Sequence, residues 1–227
     1  MKNTLNIPHQ FLRFGDYQKV SNNQKEFDSR QIKRLDVKDS VFLTFDMCPS
    51  DSLATDVIDW LVENKIPATF FVNVRWFLEN KSTEDISFLK NPLFTIGGHG
   101  YDHIDPMKQS DEEQYEDIKA ALEFWNDWDI KIKWYRVPHG HPTEKTFETF
   151  NQFGLSCASW SGPVFDKKIK HLHIDPNERA RFFIENSLES GDIILMHANG
   201  TGINTLEILK ELNAKVHSKG YTYRHLT

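Results

Sequence analysis

The apolar run VFLTFD, starting at Val41, ends in one carboxylate, Asp46, followed by Met47, Cys48 and a Pro49-Ser50 turn. A carboxylate at the rim of a buried run can take a proton from water if something keeps it ionised. Further along, GGHGYDHIDP carries His99 and His103 four residues apart. One helical turn would set both imidazoles on the same side, as a divalent ion requires. A His pair at this spacing is common on ordinary surfaces, but Gly97-Gly98 ahead of it lets the backbone turn sharply or approach a ligand closely. In WYRVPHGHP, the Arg136 guanidinium would brace a carboxylate and hold it ionised, whereas a surface ion pair would contribute little. His139 in the same segment is read as lining the site wall, in preference to a second metal pair with His141. In DIILMHANG, His197 emerges where a buried run stops. A lone His there is more often structural, but a shared face with Asp46 and Arg136 favours acid–base work.

These residues need a scaffold that brings distant positions together. Short apolar, β-branched or aromatic runs bounded by Gly, Pro or Asn predict seven strands: 41–46, 68–73, 93–97, 133–136, 155–160, 192–197 and 221–225. Helical stripes lie between them, at Val57/Ile58/Leu61/Val62, Tyr115/Ile118/Leu122/Trp125 and Ile203/Leu206/Leu209/Leu212. Ser50, Asp51 or Ser52 would cap the first, and Ser110-Asp111 the second. Strands alternating with helices imply an α/β fold with parallel pairing and right-handed crossovers. Seven strands suggest a distorted (β/α)7 barrel over 40–227, preceded by an irregular N-terminal arm or cap over 1–39. Asp46, His99, Arg136, Trp160-Ser161 and His197 all fall at carboxyl ends of predicted strands, the face on which a parallel barrel builds its site.

The totals exclude several classes. With 39% apolar and 13% aromatic residues, the 227-residue chain has material for a real core. The net charge of -6 and the scattered basic residues argue against nucleic acid as the main partner. No apolar run approaches the roughly 20 residues of a membrane span. The N-terminal segment carries no apolar core of signal-peptide length. Cys48 and Cys157 are too few for a disulfide framework, and whether they form one bridge is open.

The motifs LTFD, GGHGYDH, RVPHG and ILMH, in this order and spacing, resemble the polysaccharide deacetylases (carbohydrate esterase family 4). IPATFFV, WSGPVFD and KGYTYRHLT add to the resemblance, which covers roughly 40–227. It implies hydrolysis of N-acetyl groups from an N-acetylated amino-sugar polymer or oligomer. Position by position, it implies Asp46 as general base, His99 and His103 as ligands of zinc or a similar divalent ion, and Arg136 as the residue orienting the base. It further implies Asp166 as the acid that tunes the catalytic histidine, and His197 as general acid. A backbone N–H from the loop after Pro138 would face the oxyanion. Trp160, Tyr101 and Trp76 would stack on sugar rings or else belong to the core.

One departure stands out. Family members usually carry a second acid after the base as third metal ligand, and here that position is Met47. A thioether suits a hard divalent ion poorly. Three outcomes follow: recruitment of Asp51, Asp102, Cys48 or Asp46 as replacement; weak binding through the two histidines and water; or no metal at all. The last corresponds to a metal-free amidohydrolase acting on a small C–N substrate. A catalytically inactive carbohydrate-binding relative is a further alternative, disfavoured because a pure binder has no need of an acid–base pair. Family members are often secreted or cell-surface proteins, and compartment and oligomeric state are left open.

Overall fold

All eight residues of β1 (Ser40–Met47) are buried. A strand covered on both faces belongs in the middle of a parallel sheet rather than at an edge. The structure, a computed structural model, describes residues 29–49, 54–80, 88–162, 166, 175–198 and 204–227. In it β1 pairs in parallel with β2 (Ala68–Val72), β6 (Ile193–Met196) and β7 (Thr222–Arg224). Beyond β2 follow β3 (Phe94–Gly98), β4 (Trp134–Tyr135) and β5 (Ser156–Cys157), all parallel. The seven-stranded sheet runs in the order β5-β4-β3-β2-β1-β6, with β7 on β1. All seven predicted strands exist, although β4 and β5 shrink to two residues each. The fold is an α/β barrel of parallel strands, curled and incompletely closed.

Among the described residues, six α-helices make the crossovers: α1 (Thr55–Glu63), α2 (Val74–Asn80), α3 (Asp111–Asp127), α4 (Glu144–Phe153), α5 (Pro176–Asn186) and α6 (Thr205–Ser218). Ser110 caps α3 through a full capping box with Glu113, as its sequence predicts. The N-cap of α1 is Ala54, without a side-chain bond; Ser50, Asp51, Ser52 and Ile203 lie outside the described residues. Val62 was placed in the apolar stripe of α1 and is instead exposed. Two crossover helices bury polar residues beside apolar ones: Thr146 and Thr149 next to Phe147 and Phe150 on α4, and Asn177 and Arg179 next to Ala180 and Phe183 on α5.

The period of two along β1 sorts its side chains into two layers. Val41, Leu43, Phe45 and Met47 join the large cluster that includes the buried faces of the helices. Phe42 belongs to a smaller cluster with Phe71, Trp134, Ala158, Ile193 and Leu226, which fills the barrel interior. Residues 29–39 run across the open side between β5 and β6. Ile32 bridges to Ala158 and Arg34 to Asp192. Arg34 also forms an ion pair with Asp192 and Glu189. Just beyond β7, Leu226 is buried and its N–H bonds Thr69 Oγ1 at 2.9 Å.

Close packing at β3 depends on glycine. A Cβ on Gly97 would come within 2.5 Å of the Phe71 ring, and one on Gly98 within 2.4 Å of the Tyr135 ring. We therefore expect Gly98→Ala to lower stability by about 1–3 kcal/mol, read as an earlier chemical denaturation midpoint at unchanged slope.

Candidate active site

Thr44 and Asp46 share the interior face of β1 with Phe42, so the carboxylate of Asp46 stands above the interior apolar cluster. Arg136, which follows β4, meets it there. Its Nη1 donates to Asp46 Oδ1 at 2.7 Å and to Thr44 Oγ1 at 3.0 Å, and Nη2 donates to the Ser159 carbonyl at 2.9 Å. The guanidinium lies 4.1 Å over the Phe71 ring and is 1% exposed. Burial alone would raise the Asp46 pKa, but the Arg136 charge, helped by His99 and His197, wins and holds it below the ordinary carboxylate range. Asp46 is therefore an ionised carboxylate in a dry setting, with Oδ2 3.8 Å from His99 Nε2.

His99 follows β3 directly. Its Nδ1 lies 2.8 Å from the Arg136 carbonyl, which can only accept, so Nδ1 carries the hydrogen and Nε2 presents a lone pair. Burial lowers the pKa of this imidazole despite the pull of Asp46. His103 Nε2 stands 3.2 Å from His99 Nε2. The two rings meet as the spacing predicts, but for a different reason: residues 99–103 form a loop rather than a helical turn, with φ 78° at Gly100 and 58° at His103. Buried partners pin that loop. Asn73 Nδ2 donates to the carbonyls of His99 and Gly100, both at 3.0 Å. The Tyr135 hydroxyl accepts from Gly100 N at 2.9 Å, and the Asp117 carboxylate from Tyr101 N and Asp102 N at 3.0 and 3.1 Å.

His197 follows β6. Its Nδ1 lies 3.0 Å from Asp166 Oδ1, and its backbone N–H donates to Asp166 Oδ2 at 2.6 Å. Thr205 Oγ1, at the start of α6, donates to Asp166 Oδ2 at 3.0 Å. The carboxylate thus fixes the ring through Nδ1 and leaves Nε2 as the nitrogen available to a substrate.

His139 belongs here too, with its ring 4.9 Å from that of His103, on a Pro138–Gly140 turn in which φ is 61° at His139 and 74° at Gly140. The Gly140 N–H is tied to Val137 O at 3.0 Å, so it does not face a substrate oxyanion. Trp160 is nearly buried, between the Arg136 guanidinium at 5.6 Å and the Gly140 turn. One aromatic expectation is corrected: the Tyr101 ring packs edge-on against Phe124 of α3, and its backbone N–H is tied to Asp117. Trp76, fully buried on α2, takes the core alternative.

Met47 is 0% exposed and packs in the apolar helix-side layer. Asp102 is drawn off by Arg75, and Asp51 lies outside the described residues. Cys48 is the replacement that reaches the histidines, with Sγ 3.9 Å from His99 Nε2. The signal for it in the sequence is period-two alternation from Asp46, which returns residue 48 to the same face. Cys48 and Cys157 are both unbridged.

The sequence profile of the family described as polysaccharide deacetylase matches residues 33–158. The chain belongs to the polysaccharide deacetylase family. These are hydrolases acting on carbon–nitrogen bonds. The chain is 25% identical over 191 residues, 81% of its length and 84% of the relative's, to a peptidoglycan-N-acetylglucosamine deacetylase of Bacillus cereus. Among solved structures, a chitin deacetylase from the fungal pathogen Colletotrichum lindemuthianum superposes with a TM-score of 0.71 at 20% identity, covering 86% of this chain and 88% of that one. A CE4 family pseudoenzyme from Bacillus anthracis does so with a TM-score of 0.71 at 20% identity, covering 88% and 69%. At such identities the two structures speak for the deacetylase fold alone. Among the described residues, no helix is long and apolar enough to cross a membrane.

Arg136→Met would strand a buried carboxylate. It is expected to cost about 3–5 kcal/mol in denaturant unfolding at neutral pH. With its pKa depressed, Asp46 contributes stability above the ordinary carboxylate value and loses it as pH falls through its lower folded value. The difference between wild type and variant should therefore narrow below about pH 4.

Proposed function

We propose that this protein removes acetyl groups from an N-acetylated amino-sugar polymer or oligomer by activating water between Asp46 and His197. The observation that carries the reading is a pair of oppositely prepared groups. Asp46 is held ionised by Arg136, His197 is backed by Asp166, and the adjacent parallel strands β1 and β6 deliver both to the same rim. The Bacillus cereus relative, named for N-acetylglucosamine in peptidoglycan, supports the substrate class.

In this reading a water molecule attacks the acetyl carbonyl carbon while Asp46 Oδ2 takes its proton. The C–N bond then breaks, and His197 Nε2 gives a proton to the departing nitrogen, leaving acetate and a free amine. Asp166 keeps the imidazole oriented with the donating nitrogen outward. Arg136 keeps Asp46 from being protonated before it is needed. His139 stands beside the imidazole pair, at the wall a sugar would meet.

The donor set fits a divalent ion. His99, locked by the Arg136 carbonyl with its Nε2 lone pair facing His103 Nε2, and His103 are the residues that would hold it. When bound, such an ion polarises the acetyl oxygen and the attacking water. Met47, standing where the family usually has a second acid, is spent on the apolar core.

Asp46→Asn is expected to lower acetate release from N-acetylglucosamine oligomers by about 10²–10⁴-fold without unfolding the protein. Unchanged turnover would remove Asp46 as the base. Exhaustive chelation should abolish release and added zinc or cobalt(II) restore it; full activity after chelation would instead favour the metal-free reading.

A further inference from the structure

The donors around His99 form a set different from two histidines and a carboxylate. β1 ends at Met47, and the alternation that sends Asp46 inward and Met47 toward the helices returns Cys48 to the cavity side. Its Sγ lies 3.9 Å from His99 Nε2, and His99 Nε2 lies 3.2 Å from His103 Nε2. All three donor atoms fall within 4.8 Å of one another. Tetrahedral zinc, with Zn–N of about 2.0–2.1 Å and Zn–S of about 2.3 Å, sets two nitrogens about 3.3 Å apart and a nitrogen and sulfur about 3.6 Å apart. The two separations from His99 Nε2 stand within a few tenths of an ångström of that spacing, and Cys48 Sγ and His103 Nε2 lie within 4.8 Å, so closing the set takes a side-chain adjustment at one of them. The ring of His99 is already turned for ligation by the Arg136 carbonyl behind it.

We propose that Cys48, as a thiolate, is the third protein ligand of a divalent ion held by His99 and His103. A Cys-His-His set selects thiophilic ions, zinc and cobalt(II), over magnesium, calcium and manganese. Binding releases the thiol proton to solvent as the sulfur–metal bond forms. The fourth position stays open to water or a substrate oxygen, as in catalytic rather than structural zinc sites. The deacetylase reading gives the ion its use, so this assignment rests on that reading for its role, but it is tested apart from turnover.

The test is a cobalt(II) titration of the full-length, reduced protein under anaerobic conditions. One equivalent should produce an intense near-ultraviolet thiolate-to-cobalt absorption together with the visible bands of a tetrahedral site, and zinc should displace both. Cys48→Ser should lose the near-ultraviolet band and bind cobalt more than about tenfold more weakly. Cys48→Asp should recover binding without that band, which guards against a folding defect in the serine variant. Cys157→Ala, at the end of β5, should keep the band. The proposal is overturned if wild-type protein binds no cobalt, if it binds with visible bands but no thiolate absorption, or if the absorption survives in Cys48→Ser. A plain hydrogen bond between His99 and His103 predicts the first of these, and an ion held by the two histidines beside an uninvolved thiol predicts the second. Acetate release without the thiolate band sinks the ligand and leaves the deacetylase reading standing; the band without acetate release does the reverse.

Discussion

Arg136 sets the register of the whole site, because two different parts of it hold two different functional groups. Its guanidinium binds Asp46 and its carbonyl binds His99 Nδ1. The base and the first imidazole are therefore referenced to one residue, and their 3.8 Å separation follows from the geometry of a single backbone unit and side chain. Burying a guanidinium is costly unless its charge is matched and its protons are used. Asp46 supplies the charge, while Thr44 and Ser159 take further hydrogens and Phe71 and Trp160 cover the faces. The interior apolar cluster below completes the desolvation that makes the pairing strong.

The sheet turns this local arrangement into a site. Gly98 pairs with Tyr135 in register, and the Arg136 N–H bonds the Gly98 carbonyl at 2.9 Å. The absence of a Cβ at Gly98 is what lets the Tyr135 ring sit there. The same tyrosine then reaches with its hydroxyl to Gly100 N and fixes the turn that leads to His103. Asp117 adds two more bonds to that turn, and its burial raises its pKa even against them. The loop leading to the left-handed His103 is thus held by partners just after β2, on β4 and on α3.

The parts that could be read in advance were those in which one residue type has one use. Buried runs ending in Asp46, Arg136 and His197 marked strands and their active rim, since parallel strands deliver their carboxyl ends to one side. The alternation of strand and helix gave the barrel. What escaped has common physical causes. Helix α5 buries Asn177 and Arg179 on its inner face, which breaks the apolar stripe that reveals a helix, whereas α4 carries Phe147 and Phe150 at helical spacing behind a Thr143 cap and was legible. The closing of the gap between β5 and β6 by residues 29–35 rests on isolated bridges and backbone bonds, which leave no mark on composition. Tyr101 was misassigned because proximity in sequence to two histidines says nothing about which way a loop residue turns. Here Asp117 anchors its backbone and Phe124 receives its ring.

The two carboxylates of the site show why partner identity matters more than residue type. Asp46 faces a guanidinium that never gives up its proton, so it is fixed as an anion that can only accept. Asp166 faces an imidazole, a backbone N–H and a hydroxyl, so it positions a ring that can itself exchange protons. The division into a base on β1 and an acid after β6 follows from which strand end each partner occupies. Because β1 and β6 are adjacent and parallel, with Phe45 level with Met196, both groups reach the same side of the sheet one residue beyond that matched pair.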